Sequence, residues 1–99
     1  MMDEDVLRVS TTVQSDGGVT VAVQGYLDEG GGKTLARQIL SDLPGGETHI
    51  DIDLDAVTLF NCSGARELLA AVDNLHRRGR EVEIVGVSPS LQRVLAIGA

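Results

Sequence analysis

The sequence predicts a single α/β domain in which three helices pack against a mixed sheet of about four strands. Apolar residues alternate with polar ones in some segments and recur every three to four residues in others, which are the patterns of strands and helices. The two kinds of segment follow each other in the order β-β-α-β-α-β-α. Two strand-helix-strand crossovers in this order favour helices layered on a sheet.

Length and composition are those of one compact domain. A chain of 99 residues with 42% hydrophobic content buries about 60 to 65% of its unfolded surface, which suffices for independent folding. The single cysteine excludes an internal disulfide, and no Cys/His cluster has zinc-ligand spacing, so no cofactor and no metal is implied. We expect residues 7–99 to form the domain, residues 1–6 to be frayed, and the protein to be cytoplasmic.

Charge and hydropathy argue against nucleic acid and membrane as partners. A net charge of −7 repels phosphate backbones and anionic lipid, and the basic positions 77, 78 and 80 are too few to reverse that. No apolar run approaches the roughly 20 residues of a membrane span, and the acidic start is unlike a signal peptide.

The first half of the chain predicts a hairpin followed by a helix. Alternation from position 7 to 13 and from 19 to 23 flanks the turn residues Asp16, Gly17 and Gly18. The glycines at 30, 31 and 32 predict a flexible connection, and the first helix is expected over 33–43, with Pro44-Gly45-Gly46 as its stop.

The central unit, residues 50–79, is a strand, a short loop and a helix. Apolar residues at 50, 52 and 54 alternate with aspartates at 51, 53 and 55, so we expect a half-buried strand whose aspartates face solvent rather than bind a cation. An apolar stripe predicts a helix over 65–78, with Asn61 or Ser63 as N-cap and Gly79 just past its end. The unpaired N–H groups of its first turn suit an anion or a phosphorylated hydroxyl.

The last strand is expected to include Val82, Ile84 and Val87, with Val85 facing the other side. Ser88 and Pro89 then predict an N-cap and first turn of a third helix, with its apolar residues facing inward. His49 and His76 look isolated, and surface positions account for both.

Several short motifs in this order resemble those of the STAS domain, and within that family the small bacterial anti-sigma-factor antagonists. The resemblance covers about residues 7–98. Its motifs are Gly25-x-Leu27-Asp28, Asp53-Leu54-x-x-Val57, Ser63-Gly64, Gly79 and Val87-Ser88-Pro89.

The resemblance implies a protein-interaction module that regulates transcription and is not an enzyme. In that family a GHKL-type serine kinase, which is also the anti-sigma factor, binds the antagonist and phosphorylates a hydroxyl at the start of the second helix. Members commonly continue through a further strand and helix, whereas this chain ends at Ala99. An uncovered sheet edge can pair with the edge of another chain, so the protein could also form a homodimer.

This sequence departs from the family at three positions of the implied site. Asn61 stands where aspartate is usual, Cys62 where the phosphoacceptor is usual, and Tyr26 where glutamate is common. Because a thiol is not a substrate for serine/threonine phosphorylation, we expect binding without the usual phospho-switch. Ser63 is a substitute acceptor whose side chain points about 100° away around the helix.

The predicted partner-binding surface combines the helix start, the loop before the first helix and the exposed side of the second helix. Its residues are Tyr26, Asp28, Asn61, Cys62, Ser63, Gly64, Arg66 and Glu67.

Other interpretations remain for these residues. Asp28 could instead cap nearby backbone N–H groups, and Cys62 could be an inert thiol packed under the loop. The protein could be a STAS-type scaffold or sensor that joins a larger assembly or binds a small ligand. A thiol-dependent enzyme is disfavoured, because Cys-x5-Arg would need arginine where Leu68 stands and no histidine is close in sequence. Residues 30–34 look like the end of a phosphate-binding loop, Gly-x4-Gly-Lys-Thr. The first glycine of that motif is missing, because position 27 is leucine.

Overall fold

The computed structural model describes residues 7–41 and 49–98, which form a four-stranded sheet and three helices. The strands are β1 (Arg8–Val13), β2 (Val19–Leu27), β3 (Ile50–Phe60) and β4 (Val82–Val85), and the helices are α1 (Glu29–Ser41), α2 (Cys62–Arg77) and α3 (Pro89–Gly98). The sheet order is β1-β2-β3-β4, with β1 antiparallel to β2 and the other pairs parallel. The predicted fold class and element order are confirmed. The expected frayed segment 1–6, the expected end of the first helix at Leu43 and its expected stop at 44–46 lie outside the described residues.

One face of the sheet carries the hydrophobic core. The inward side chains of β2 and of the first half of β3 are at most 2% exposed, and they form one cluster with buried residues from all three helices, including Leu35, Leu68 and Leu91. Each fully buried side chain of this kind contributes about 1.5–3 kcal/mol relative to an exposed position. The other face carries the polar positions of the alternation, including Asp51 and Asp53, which are half-buried.

The flexible connection predicted at the three glycines is wrong, because α1 begins at Glu29 and includes all of them. Glycine costs about 1 kcal/mol in a helix relative to alanine. Here close packing requires it: a Cβ on Gly31 would collide with the carbonyl oxygen of Tyr26 and approach Leu7 within 3.3 Å. The Asp28 side chain also caps the first turn of α1. The helix therefore begins four residues earlier than predicted.

Strand β3 runs to Phe60, five residues beyond the end of the predicted alternation. Its pairing with β2 shifts register twice, and each shift places one extra residue on β3. Each extra residue reverses which side chains face the core. Val57 and then Phe60 therefore pack against the core, while Leu59 lies on the opposite face and is 51% exposed. The strict period of two is lost at these bulges.

The second half of the chain otherwise follows the predicted boundaries closely. Gly79, at φ 81°, ends α2 with N–H groups of 79 and 80 donating to the carbonyls of His76 and Leu75, a Schellman motif. The Ser88 hydroxyl accepts a hydrogen bond from the Leu91 N–H at 3.1 Å, as expected of an N-cap. Val87 lies outside β4, which ends before Gly86 at φ 68°.

Two glycines allow α1 and α2 to approach each other at their amino ends. A Cβ on Gly32 would lie 2.8 Å from Glu67 Cβ and 2.9 Å from the Gly64 carbonyl oxygen. A Cβ on Gly64 would collide with the Leu27 carbonyl and lie 2.8 Å from the Asp28 carbonyl oxygen. The contacting atoms belong to the backbone or are the Cβ of Glu67. They cannot move away unless the main chain itself shifts, which costs free energy.

We therefore expect Gly64→Ala to lower the free energy of unfolding by about 1–3 kcal/mol, because the added methyl group overpacks a backbone contact. Urea denaturation followed by circular dichroism measures this. Gly30→Ala is the matched control in the neighbouring helix, since its Cβ would meet nothing closer than 3.8 Å. It should leave stability unchanged or raise it by up to about 1 kcal/mol. Equal effects of the two substitutions would contradict the packing account.

Candidate functional site

The loop before α1 and the start of α2 lie side by side at one edge of the sheet. β2 and β3 are parallel neighbours with Leu27 paired to Phe60, so both strands deliver the chain to the same edge. The Asn61 N–H donates to the Leu27 carbonyl at 3.3 Å and joins the two connections. Two helices thus begin next to each other at the carboxyl ends of adjacent parallel strands, where α/β proteins commonly place binding sites.

Asn61 is the N-cap of α2. Its backbone is extended, and its side-chain Oδ1 accepts a hydrogen bond from the Gly64 N–H at 2.9 Å. Of the two N-cap residues that the sequence offered, Asn61 therefore has this role, and Ser63 lies inside the first turn. The cap orients the loop so that the side chains of residues 61, 62 and 63 are all exposed.

Asp28 caps the neighbouring helix. Its Oδ1 accepts a hydrogen bond from the Gly31 N–H at 2.8 Å, and its carbonyl accepts from the Gly32 N–H at 2.7 Å. The capping interpretation of this residue therefore holds. Its side chain remains half-buried, and its contact with a partner stays a prediction.

The remaining predicted surface residues differ in their exposure. Arg66 is exposed, Tyr26 and Glu67 are half-buried, and Gly64 is buried beneath them. Gly64 thus allows α2 to lie in close contact with the end of β2. The expectation that Cys62 packs under the loop is wrong, because the thiol is exposed at the first residue of α2.

Leu59 is a surface residue at this edge that the sequence did not reveal. It pairs with Tyr26 across β2 and β3, on the open face of the sheet beside the two helix starts. Its exposure follows from the second register shift, which no local pattern in the sequence marks. Together Tyr26 and Leu59 add apolar surface to an otherwise polar edge.

A second polar cluster lies at the opposite edge of the sheet, around His49. Its Nε2 is 2.6 Å from Asp51 Oδ1 and 3.9 Å from Glu83 Oε1, and its Nδ1 is 3.6 Å from Glu81 Oε1. His49 is therefore not isolated, contrary to the sequence expectation. Alternation could have placed His49 and Asp51 on one face, but pairing with the fourth strand was needed to add the two glutamates.

The hydrogen bond with Asp51 raises the pKa of His49, and the nearby charges of Asp51 and Glu81 raise it further. Desolvation opposes these effects without cancelling them. The protonated ring is thus favoured by the folded protein.

Comparisons with known proteins define the class to which this chain belongs. Residues 10–98 match the family model described as "Mlab, STAS domain", and the chain belongs to the STAS domain family. A crystal structure of an antisigma-factor antagonist STAS domain from Rhodobacter sphaeroides matches with a TM-score of 0.69 and 24% sequence identity, covering 85% of this chain and 90% of that one. A comparison with curated proteins found no match.

The family resemblance found in the sequence is confirmed by these matches. In the part of the chain that the structure describes, no helix is both long and apolar enough to cross a membrane.

We expect Asn61→Ala to lower the free energy of unfolding by about 1 kcal/mol, because the Gly64 N–H loses its acceptor. Asn61→Asp keeps an acceptor and should stay within about 0.5 kcal/mol of the original protein. Urea denaturation at pH 7 compares them. Asn74→Ala, at an exposed position of the same helix, is the control and should not destabilise. A loss of stability in Asn61→Asp equal to that in Asn61→Ala would disprove the capping role.

The raised pKa of His49 has a defined consequence for stability. Protonated His49 stabilises the fold below the ordinary histidine pKa of about 6.5, and this contribution disappears as the pH rises through the higher folded-state value. An NMR titration of the His49 ring should therefore give a midpoint above about 6.5. Asp51→Asn should lower that midpoint, whereas Asp55→Asn, at an exposed position further along β3, should not. A midpoint insensitive to Asp51→Asn would refute the assignment.

Proposed function

We propose that this chain is an interaction module of the anti-sigma-factor antagonist type, which binds an anti-sigma factor that is also a GHKL-type serine kinase. The observation that carries the proposal is the exposed edge where the end of β2 and Asp28 meet the start of α2. Membership of the STAS family supports it, and so does the structural likeness to an antisigma-factor antagonist. The module would regulate transcription through protein contacts.

The docking face, as we define it, comprises the half-buried or exposed side chains at this edge: Tyr26, Asp28, Leu59, Asn61, Cys62, Ser63, Arg66 and Glu67. Its apolar part is formed by Tyr26 and Leu59, and charged residues of both signs lie on α2 beside it. A surface that combines apolar and charged side chains suits a protein interface. Gly64 supports this face from below.

We further propose that the partner is bound without the usual phospho-switch. The exposed residue at the start of α2 is Cys62, whose thiol replaces the hydroxyl that the kinase would phosphorylate. Ser63 is also exposed, but it follows one position later and projects about 100° around the helix axis. A partner that presents ATP to position 62 would therefore find no acceptor there.

Two other functions compete with this proposal. A STAS module that joins a larger assembly would use the same docking face with another partner, and the missing hydroxyl at Cys62 favours such a constitutive role. A thiol-dependent enzyme is disfavoured by geometry. His76 lies 14 residues along α2 from Cys62, about 21 Å away, and His49 lies at the other end of β3. Neither histidine of the chain can serve as the base for the thiol.

The proposal predicts that Arg66→Glu weakens partner binding by at least about tenfold, because it reverses a charge on the docking face. The immobilised chain is first used to capture proteins from a native lysate, and mass spectrometry identifies the partner. The affinity of the purified partner for each variant is then measured by calorimetry. Arg77→Glu is the matched control, since it reverses a charge about 16 Å away on the same helix. Its contact with Asp73 is an exposed ion pair whose loss costs little.

Incubation of the captured kinase with ATP and the chain completes the test. We expect the intact mass to remain unchanged, because position 62 carries no hydroxyl. Asn61→Asp combined with Cys62→Ser should restore phosphorylation. Stoichiometric phosphate on Ser63 would overturn the proposed absence of a switch, and a captured partner without a kinase domain would support the assembly role instead.

A further inference from the structure

We propose that His49, Asp51 and Glu83 form a binding site for a first-row divalent transition metal ion, with Zn²⁺ as its simplest probe. The site lies at the amino ends of β3 and β4, on the opposite edge of the sheet from the docking face. It does not depend on the proposed function.

The backbone of the sheet brings the three side chains to one face. Asp51 and Glu83 are direct partners in the parallel pairing of β3 with β4. His49 precedes Asp51 by two residues, so it projects to the same side. Backbone hydrogen bonds secure these positions: the Ile50 N–H donates to the Glu81 carbonyl, and the Val19 N–H donates to the His49 carbonyl, both at 2.8 Å. The arrangement therefore follows from strand register and not from chance side-chain rotamers.

The donor atoms are already close to the spacing that a metal ion needs. One ligand atom from each of His49, Asp51 and Glu83 lies within 4.8 Å of the others. In a tetrahedral site with metal–ligand bonds of about 2.0–2.1 Å, donors lie about 3.3–3.4 Å apart. Nε2 is nearer than this to Asp51, at 2.6 Å, and slightly farther from Glu83, at 3.9 Å. Glu83 can adjust by rotation, because its side chain is 66% exposed.

Neighbouring side chains support two of the ligands. Glu81 Oε1 lies 3.6 Å from Nδ1 of His49, on the ring atom that would not bind the metal. A carboxylate near that nitrogen stabilises a proton on Nδ1, so a metal ion can replace the proton that Nε2 shares with Asp51. Gln14 Nε2 donates to Asp51 Oδ2 at 3.3 Å and leaves Oδ1 directed at His49. Such supporting contacts orient the ligands in protein metal sites.

Electrostatics also favour a cation at this place. Asp51 and Glu83 are like charges directly opposite each other on adjacent strands, an arrangement that destabilises a sheet. Glu81 adds a third carboxylate nearby, in a chain of net charge −7. A divalent ion between these groups would remove the repulsion and gain three ligands.

The donor set selects the class of ion. One imidazole nitrogen with two carboxylate oxygens suits Zn²⁺ and its first-row neighbours. Ca²⁺ and Mg²⁺ prefer six or more oxygen ligands and would gain little from the imidazole. Water would complete the coordination, since this edge is open to solvent.

The test is a titration of the untagged protein with Zn²⁺, followed by NMR of the histidine rings. We expect one equivalent of Zn²⁺ to shift the His49 ring signals and leave those of His76 in place. Calorimetry should show that His49→Gln and Glu83→Gln each weaken Zn²⁺ binding by at least about tenfold, as loss of a supporting contact alone weakens metal affinity by about that much. Mg²⁺ at the same concentrations should produce no shift.

Two controls separate this site from other donors. His76→Gln removes the second histidine of the chain and should bind Zn²⁺ with unchanged affinity. Cys62→Ala removes the exposed thiol, a strong zinc ligand, and should also leave the His49 shifts intact. The proposal would be overturned by an unmoved His49 ring at tenfold excess of Zn²⁺. Equal affinity in the native protein and Glu83→Gln would overturn it as well.

Discussion

The contact of Gly64 with the end of β2 is the constraint on which the candidate site depends. Helix α2 can begin directly after β3 only because its third residue has no side chain, which lets its backbone lie against the Leu27 and Asp28 carbonyls. Gly32 has the same role in α1, because its lack of a side chain lets the backbone of α1 lie against Gly64. Parallel pairing of β2 with β3 then brings both helix starts to one edge. A Cβ at either position would force the contacting backbone segments apart and change the spacing of the two helix starts.

The two helix starts differ in charge. α1 has the carboxylate of Asp28 as its cap and Glu29 in its first turn, so its own residues complement the positive end of the helix dipole. α2 has a neutral amide cap and no acidic residue in its first turn. Its partial positive charge is therefore open to an acidic group of a partner. Under the proposed function, this asymmetry favours the start of α2 as the place of recognition, with α1 as its support.

The sequence predicted those features that depend on local chemistry. The hairpin turn, the cap at Ser88 and the end of α2 at Gly79 each follow from residues within a few positions of one another, and the cap of α2 was narrowed to Asn61 or Ser63 in the same way. Features that depend on tertiary packing were missed. Three consecutive glycines looked like a loop because their close neighbours, such as Glu67 and Leu7, are distant in sequence. The bulges of β3 and the glutamates around His49 likewise depend on which strand lies alongside.

Under the proposed function, the residue at position 62 decides how binding is controlled. A phosphate adds about −1.5 to −2 charges, and the first-turn N–H groups at the start of α2 are suited to an anion. A partner would then meet both a steric obstacle and a concentrated negative charge. Cys62 offers no hydroxyl for that change, so phosphorylation at this position would not alter the charge of the docking face. Occupancy of the complex would then follow the affinity and the concentrations of the two proteins, and any regulation would act on the partner or on the amount of this chain.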